Sequence, residues 1–110
     1  MGKKLDLLPG TLDLLILKTL SRNAAMHGYG IAQSIAAATE RVLDIDEGSL
    51  YPALQRLLLE GWVEAEWGKS ENNRRARFYR LTSAGRRQLN KEMTEFDRLM
   101  EAMLRVLRPA

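Results

Sequence analysis

The chain has no cysteine and only one histidine, His27, among its 110 residues. Without thiols there is no disulfide framework, no thiolate zinc site and no thiol nucleophile. One imidazole cannot make a multi-histidine metal centre. No nucleophile-elbow pattern accompanies it to suggest a serine hydrolase. Long apolar runs are missing too. Leu12 to Leu17 is interrupted by Asp13 and followed by Lys18, too short to span a bilayer and without a cleavage site. Gly2 stands where a myristoylated glycine would, but Asp6 occupies the position that wants Ser or Thr. These absences predict a soluble, cytoplasmic protein that is not an enzyme, needs no cofactor or metal and has no membrane partner. No internal repeat or low-complexity segment is visible, and the length corresponds to one domain. A core of that size is modest, so oligomerisation would help it.

The net charge is only +3, yet it is unevenly spread. Residues 1–30 carry a net +2 and residues 31–68 a net −5. Residues 69–91 carry +7 and residues 92–110 carry −1. A concentrated positive stripe is the electrostatic mark of a nucleic-acid surface, because phosphate is the commonest dense anion a protein meets.

Apolar periodicity predicts a first helix over Thr11–Arg22, after a break at Pro9-Gly10. Leu12, Leu15, Ile16 and Leu20 form one stripe. Leu14 and Leu17 point elsewhere, so this helix has two greasy sides and wants a second partner. A second helix is predicted over Tyr29–Thr39, with Ile31 and Ile35 inward and a run of alanines that allows close packing. His27, just ahead of it, reads as a cap or turn residue. A third helix is predicted over Ser49–Glu60, with Leu50, Leu54, Leu57 and Leu58 buried. Its start is set near Gly48 or Ser49 because Pro52 is best tolerated in a first turn. Of Glu40, Asp44, Asp46 and Glu47, one or two should cap it and the rest should face away from nucleic acid. Gly61 closes it.

From Trp62 the period changes to two. Trp62–Trp67 reads as a strand with Val63, Ala65 and Trp67 on one side and Glu64 and Glu66 on the other. Arg77–Leu81 reads as its partner, and Gly68–Arg75 as a polar, flexible tip. Thr82 should cap a last helix over Ser83–Leu107. Leu89, Met93, Phe96, Met100, Met103 and Leu107 follow at spacings of 4, 3, 4, 3 and 4, a heptad seam that predicts pairing with a second copy. The fold class is therefore mainly α with a small β-hairpin wing, a winged helix-turn-helix with a long C-terminal helix. Residues 1–82 form the DNA-binding part and 83–110 the dimerisation helix of one compact unit.

In that plan the third helix enters the major groove and the hairpin reaches an adjacent groove or the backbone. Ser49, Tyr51, Pro52 and Gln55 are the candidates on the helix. A glutamine can pair with both polar edges of adenine, worth ~1–3 kcal/mol of discrimination. Lys69, Arg74, Arg75 and Arg77 are the candidates on the wing, positioning the protein more than reading sequence. Arg77 and Arg80 are three apart and cannot share a strand face. Lys3 and Lys4 fall in a stretch that reads as a disordered terminus, the alternative being a loose basic arm.

His27-Gly28-Tyr29-Gly30-Ile31, then Gly48-Ser49-Leu50-Tyr51-Pro52-Ala53-Leu54 with Leu57 and Gly61-Trp62-Val63, then Arg77-Phe78-Tyr79-Arg80-Leu81-Thr82 with Gly85-Arg86, together resemble the PadR family of bacterial transcriptional regulators. The resemblance spans residues 8–107 and points to the short subfamily with one C-terminal helix. Phe78 stands where many members carry Tyr. The resemblance implies a homodimeric repressor of an inverted-repeat operator, in which the last helix packs on the partner's first helix. Some members are released by small aromatic or planar ligands. Leu14 and Leu17 with the seam from Leu89 to Leu107 are accordingly the dimer candidates. Phe96 with Met93, Met100 and Met103 can serve either as plain dimer core or as the lining for a planar effector, since methionine adapts to flat surfaces. The competing reading is a winged-helix protein–protein interaction module, an adaptor or antirepressor, against which the +7 segment argues.

Overall fold

A computed structural model describes Leu7 and residues 10–108, so Lys3 and Lys4 lie outside the described residues. Those residues form α1 (Thr11–Ser21), β1 (Met26–His27), α2 (Gly28–Ala38), α3 (Glu47–Leu59), β2 (Val63–Lys69), β3 (Arg75–Leu81) and α4 (Ser83–Leu107). The strands make one antiparallel sheet in the order β1-β3-β2. The winged helix-turn-helix with a long last helix is thus present, with one strand more than the sequence suggested. β1 has two residues and pairs Met26 with Tyr79 and His27 with Phe78, too short a run to show any period.

Local chemistry sets most boundaries. His27 caps α2, its Nδ1 accepting from the Gly30 amide at 2.9 Å. Asp46 caps α3, accepting from the Ser49 amide at 2.8 Å. Gly61, at φ +76°, turns the chain out of α3 in a conformation that suits glycine. Because Asp46 is the cap, α3 starts at Glu47 and not at Ser49, and Pro52 sits in the second turn, outside the first turn where it was expected. The carbonyl that Pro52 leaves without an amide donor belongs to Gly48, which is exposed, so water can satisfy it.

The core forms where α1, α2 and α3 meet the sheet. Ile16, Leu17, Ile31, Leu50, Leu54 and Leu57 are sealed from solvent, with Val63 and Tyr79 from the strands and Leu89 from α4 beside them. Leu17 is therefore not part of a spare face on α1. It closes this chain's own core, while Leu14 and Leu15 are half-buried at its edge.

A small knot fixes α4. Thr82 accepts from the Gly85 amide (3.0 Å), donates its hydroxyl to the Gly61 carbonyl (2.7 Å), and gives its own amide to the Trp62 carbonyl (3.1 Å). The end of α3, the start of β2 and the start of α4 are thus one joint. From it α4 first crosses α1 and then leaves the domain. At 1.5 Å per residue its 25 residues span roughly 37 Å, which draws the molecule out to 54 × 36 × 22 Å.

Candidate nucleic-acid interface

Two surfaces stand out. The first is the exposed start of α3 together with the wing. Burying Leu50, Ala53, Leu54 and Leu57 turns Ser49, Tyr51, Pro52 and Gln55 outward, so the four helix candidates are exposed. Tyr51 also reaches back to α2. A Cβ on Gly28 would stand 3.0 Å from its ring, so any larger residue there would push the phenol outward by a few tenths of an ångström. Arg56, also on the outer side of α3, turns away and pairs with Asp13 of α1 at 2.8 Å. That hydrogen bond and the Asp13 charge hold its pKa above the ordinary arginine value.

The wing gains its geometry from strand alternation. Val63 pairs with Leu81, Ala65 with Tyr79, Trp67 with Arg77 and Lys69 with Arg75. These pairs share one face. Near the domain that face is core. Two residues further out it has left the core, and the same side carries Trp67, Arg77, Lys69 and Arg75. The opposite face carries Glu64 opposite Arg80, an ion pair at 2.7 Å, with Glu66 3.5 Å from the same guanidinium. Arg80 is thus neutralised on the far side, while Lys69, Arg75 and Arg77 gather on the near side and Arg74 lies beside them in the turn.

The tip is shorter and firmer than its composition suggests. Only Ser70–Arg74 lie outside the strands. Ser70 donates to the Arg74 carbonyl and Asn73 to the Ser70 carbonyl, both at 2.8 Å, and Asn73 adopts φ +59° to close the turn. Asparagine tolerates that region better than most residues.

Between the wing and the starts of α2 and α3 lies a cleft of about 660 Å³. Tyr29, Tyr51 and His27 form one wall; Trp67, Arg74, Arg75 and Arg77 form the other, with Tyr79 at the back. His27 Nε2 is 3.9 Å from Glu71 across the mouth. Burial pushes the Tyr79 phenol above the ordinary tyrosine range, against a smaller opposing effect of Arg77. Four of these cleft members are not site candidates on sequence: His27, which reads only as a cap or turn residue, and Tyr29, Trp67 and Tyr79. Alternation places Trp67 on the same side of its strand as Val63 and Ala65, which is the face it takes, but the core ends before it and it is 59% exposed. Its register opposite Arg77 was the available signal.

The second surface is the outer half of α4. Leu89 is enclosed by the chain's own core and Met93 packs against it, so the inner end of the seam is already used. Neither Leu17 nor Leu89 is accessible to a partner. Phe96, Met103 and Leu107 are exposed and Met100 partly so. Leu99, Leu104 and Val106 are exposed beside them and widen the apolar stripe beyond the strict heptad seam. Phe96 and Leu99 also border a groove of about 570 Å³ between α1, the end of α3 and α4, with Trp62 and the Arg56–Asp13 pair. Among the described residues no helix is long and apolar enough to cross a membrane.

Comparison with known proteins agrees with this architecture. A family model described as the transcriptional regulator PadR-like family matches residues 16–91. A protein of unassigned function from Lysinibacillus sphaericus is 31% identical over 96 residues, covering 87% of each chain. A transcriptional regulator from Clostridium thermocellum superposes with a TM-score of 0.78 at 26% identity, covering 86% of this chain and 90% of its own. A PadR family transcriptional regulator from Eggerthella lenta gives a TM-score of 0.78 at 27% identity, with 92% and 85% covered.

Proposed function

The chain belongs to the PadR-like family of transcriptional regulators, and from that premise we propose that it works as a homodimeric repressor of an inverted-repeat operator in the cytoplasm. It is a regulator and not an enzyme. Residues 1–82 carry DNA binding and residues 83–110 carry dimerisation. Ser49, Tyr51, Pro52 and Gln55 enter the major groove from the start of α3. Lys69, Arg74, Arg75 and Arg77 hold the flanking phosphates or a minor groove. The exposed outer half of α4, with Leu14 at the edge of α1, meets the second copy.

One observation carries the reading. Strand alternation and the tight turn bring four cations to the outer end of the wing beside the exposed start of α3, while Arg80 is paired off on the other face. A planar apolar effector would bind between the paired α4 helices, against Phe96 with Met93, Met100 and Met103.

The test is a salt titration. Each phosphate neutralised on B-DNA contributes about 0.9 to the slope of log affinity against log salt. Arg74→Ala with Arg75→Ala should weaken binding to every duplex and flatten that slope by about 2. Unchanged operator affinity at equal salt would remove the wing from the interface.

A further inference from the structure

We infer that Trp67 is a positioning residue for DNA binding, a stacking platform that holds the Arg75 and Arg77 guanidinium groups in the orientation that meets the phosphates. This rests on the proposed DNA-binding role of the wing and goes beyond it, because Trp67 itself carries no charge and reads no base.

Core packing does not account for Trp67. It is 59% exposed, and the apolar face of the hairpin has ended at Ala65 and Tyr79. What covers the ring is charge. The Arg75 guanidinium carbon lies 4.5 Å from the ring centroid and that of Arg77 lies 6.0 Å away. Both fall within the reach of the attraction between a cation and the electron-rich face of an indole.

The arrangement answers two physical problems. Lys69 stands directly opposite Arg75, and Arg77 is two residues along on the same face. Like charges so placed repel and loosen a hairpin. An indole face among them supplies a compensating negative surface without neutralising them, which a carboxylate would do and which Glu64 and Glu66 do for Arg80 on the other side. The second problem is entropy. An arginine free in solvent must give up its rotamers when it grips a phosphate. One already laid against a ring has given up part of that freedom beforehand. The cations of the wing are thus sorted by face: Arg80 is discharged by acids, and Arg75 and Arg77 are held but left charged.

The experiment measures affinity for a nonspecific duplex and its salt slope with wild type, Trp67→Leu, Trp67→Phe, Arg75→Ala and the combined Trp67→Leu/Arg75→Ala chain. Circular dichroism confirms that each is folded. Trp67→Leu should bind about fivefold more weakly with an unchanged salt slope, since no charge is lost. Trp67→Phe, which keeps an aromatic face, should recover most of the affinity. Arg75→Ala should lower the slope by about 1. The combined change should be worse than Arg75→Ala alone by less than the full Trp67→Leu loss, because only the more distant Arg77 then remains for the ring to hold. Wild-type affinity in folded Trp67→Leu would overturn the inference, as would full additivity of the two single losses, which would mean that Trp67 touches DNA on its own account. Absence of salt-dependent binding by the wild-type chain would instead overturn the DNA-binding reading, and this inference with it.

Discussion

Replacing Gly85 by alanine is expected to lower the unfolding midpoint by roughly 12–24 °C. Intrinsic helix propensity argues the other way, since alanine favours a helix interior over glycine by about 1 kcal/mol. Geometry decides. A Cβ on Gly85 would stand 1.9 Å from the carbonyl oxygen of Trp62 and 2.8 Å from Leu81 Cδ1. The first of these is backbone, and no rotamer change relieves it. The first turn of α4 would have to lift, and lifting it breaks the Thr82 bonds to Gly61 and Trp62 described above. Overpacking of this kind typically costs 1–3 kcal/mol. With two hydrogen bonds at risk a net loss of about 3 kcal/mol is expected. For a domain near 100 residues each kcal/mol moves the midpoint by about 4–8 °C. A thermal melt followed by circular dichroism reads the shift directly. A midpoint equal to or above wild type would mean that the joint between α3, β2 and α4 is looser than its geometry implies.

The second large effect concerns α4. Leu99→Asp combined with Met103→Asp is expected to convert the protein from a species of twice the 12.5 kDa chain mass to one of the chain mass itself. Both side chains are exposed in the single chain, so the change leaves its core untouched. In the dimer they would place four carboxylates in one apolar seam. Burying an unpaired charge costs several kcal/mol, and about 3 kcal/mol already weakens association more than a hundredfold. Light scattering after size exclusion would show the mass. Affinity for a two-half-site duplex should fall by ~10²–10⁴ with the loss of bivalent attachment, while the far weaker binding to a single half-site stays the same. A double variant that remains dimeric would place the subunit contact elsewhere.

Much of the fold is legible in the sequence because it is written in local chemistry. As caps, Thr82, Asp46 and His27 accept from an amide three residues on, and Gly61 turns the chain at its own position. None of this needs knowledge of tertiary structure; the bonds of Thr82 to Gly61 and Trp62 are the part that does. The bounds of α4 follow from Thr82 at one end and the heptad at the other. The misreadings share a different cause. Pro52 was weighed by its own preference for a first turn, but the cap chemistry of Asp46 and the exposure of Gly48 outweigh it. Leu17 was assigned by angle around α1, whereas three helices and a sheet enclose that helix on more than one side. β1 has no period because two residues cannot have one; only the antiparallel partner Phe78-Tyr79 makes it a strand. At the site, the sequence supplied the cations and, through the odd spacing of Arg77 and Arg80, their separation onto two faces of the strand, but not what each face meets. The meeting of Arg80 with Glu64 and Glu66, and of Trp67 with Arg75 and Arg77, is decided by register. Register depends on where the turn closes, here at Asn73, one residue that composition alone does not single out.

The most direct test of a paired, wing-assisted reader of an inverted repeat is footprinting on the DNA upstream of the chain's own operon. Protection is expected over two inverted half-sites whose centres lie about one helical turn apart, ~34–36 Å, on one face of the duplex. It should fade as salt is raised. Protection of a single undivided site, or none at low salt by a protein that is folded and dimeric, would contradict the account.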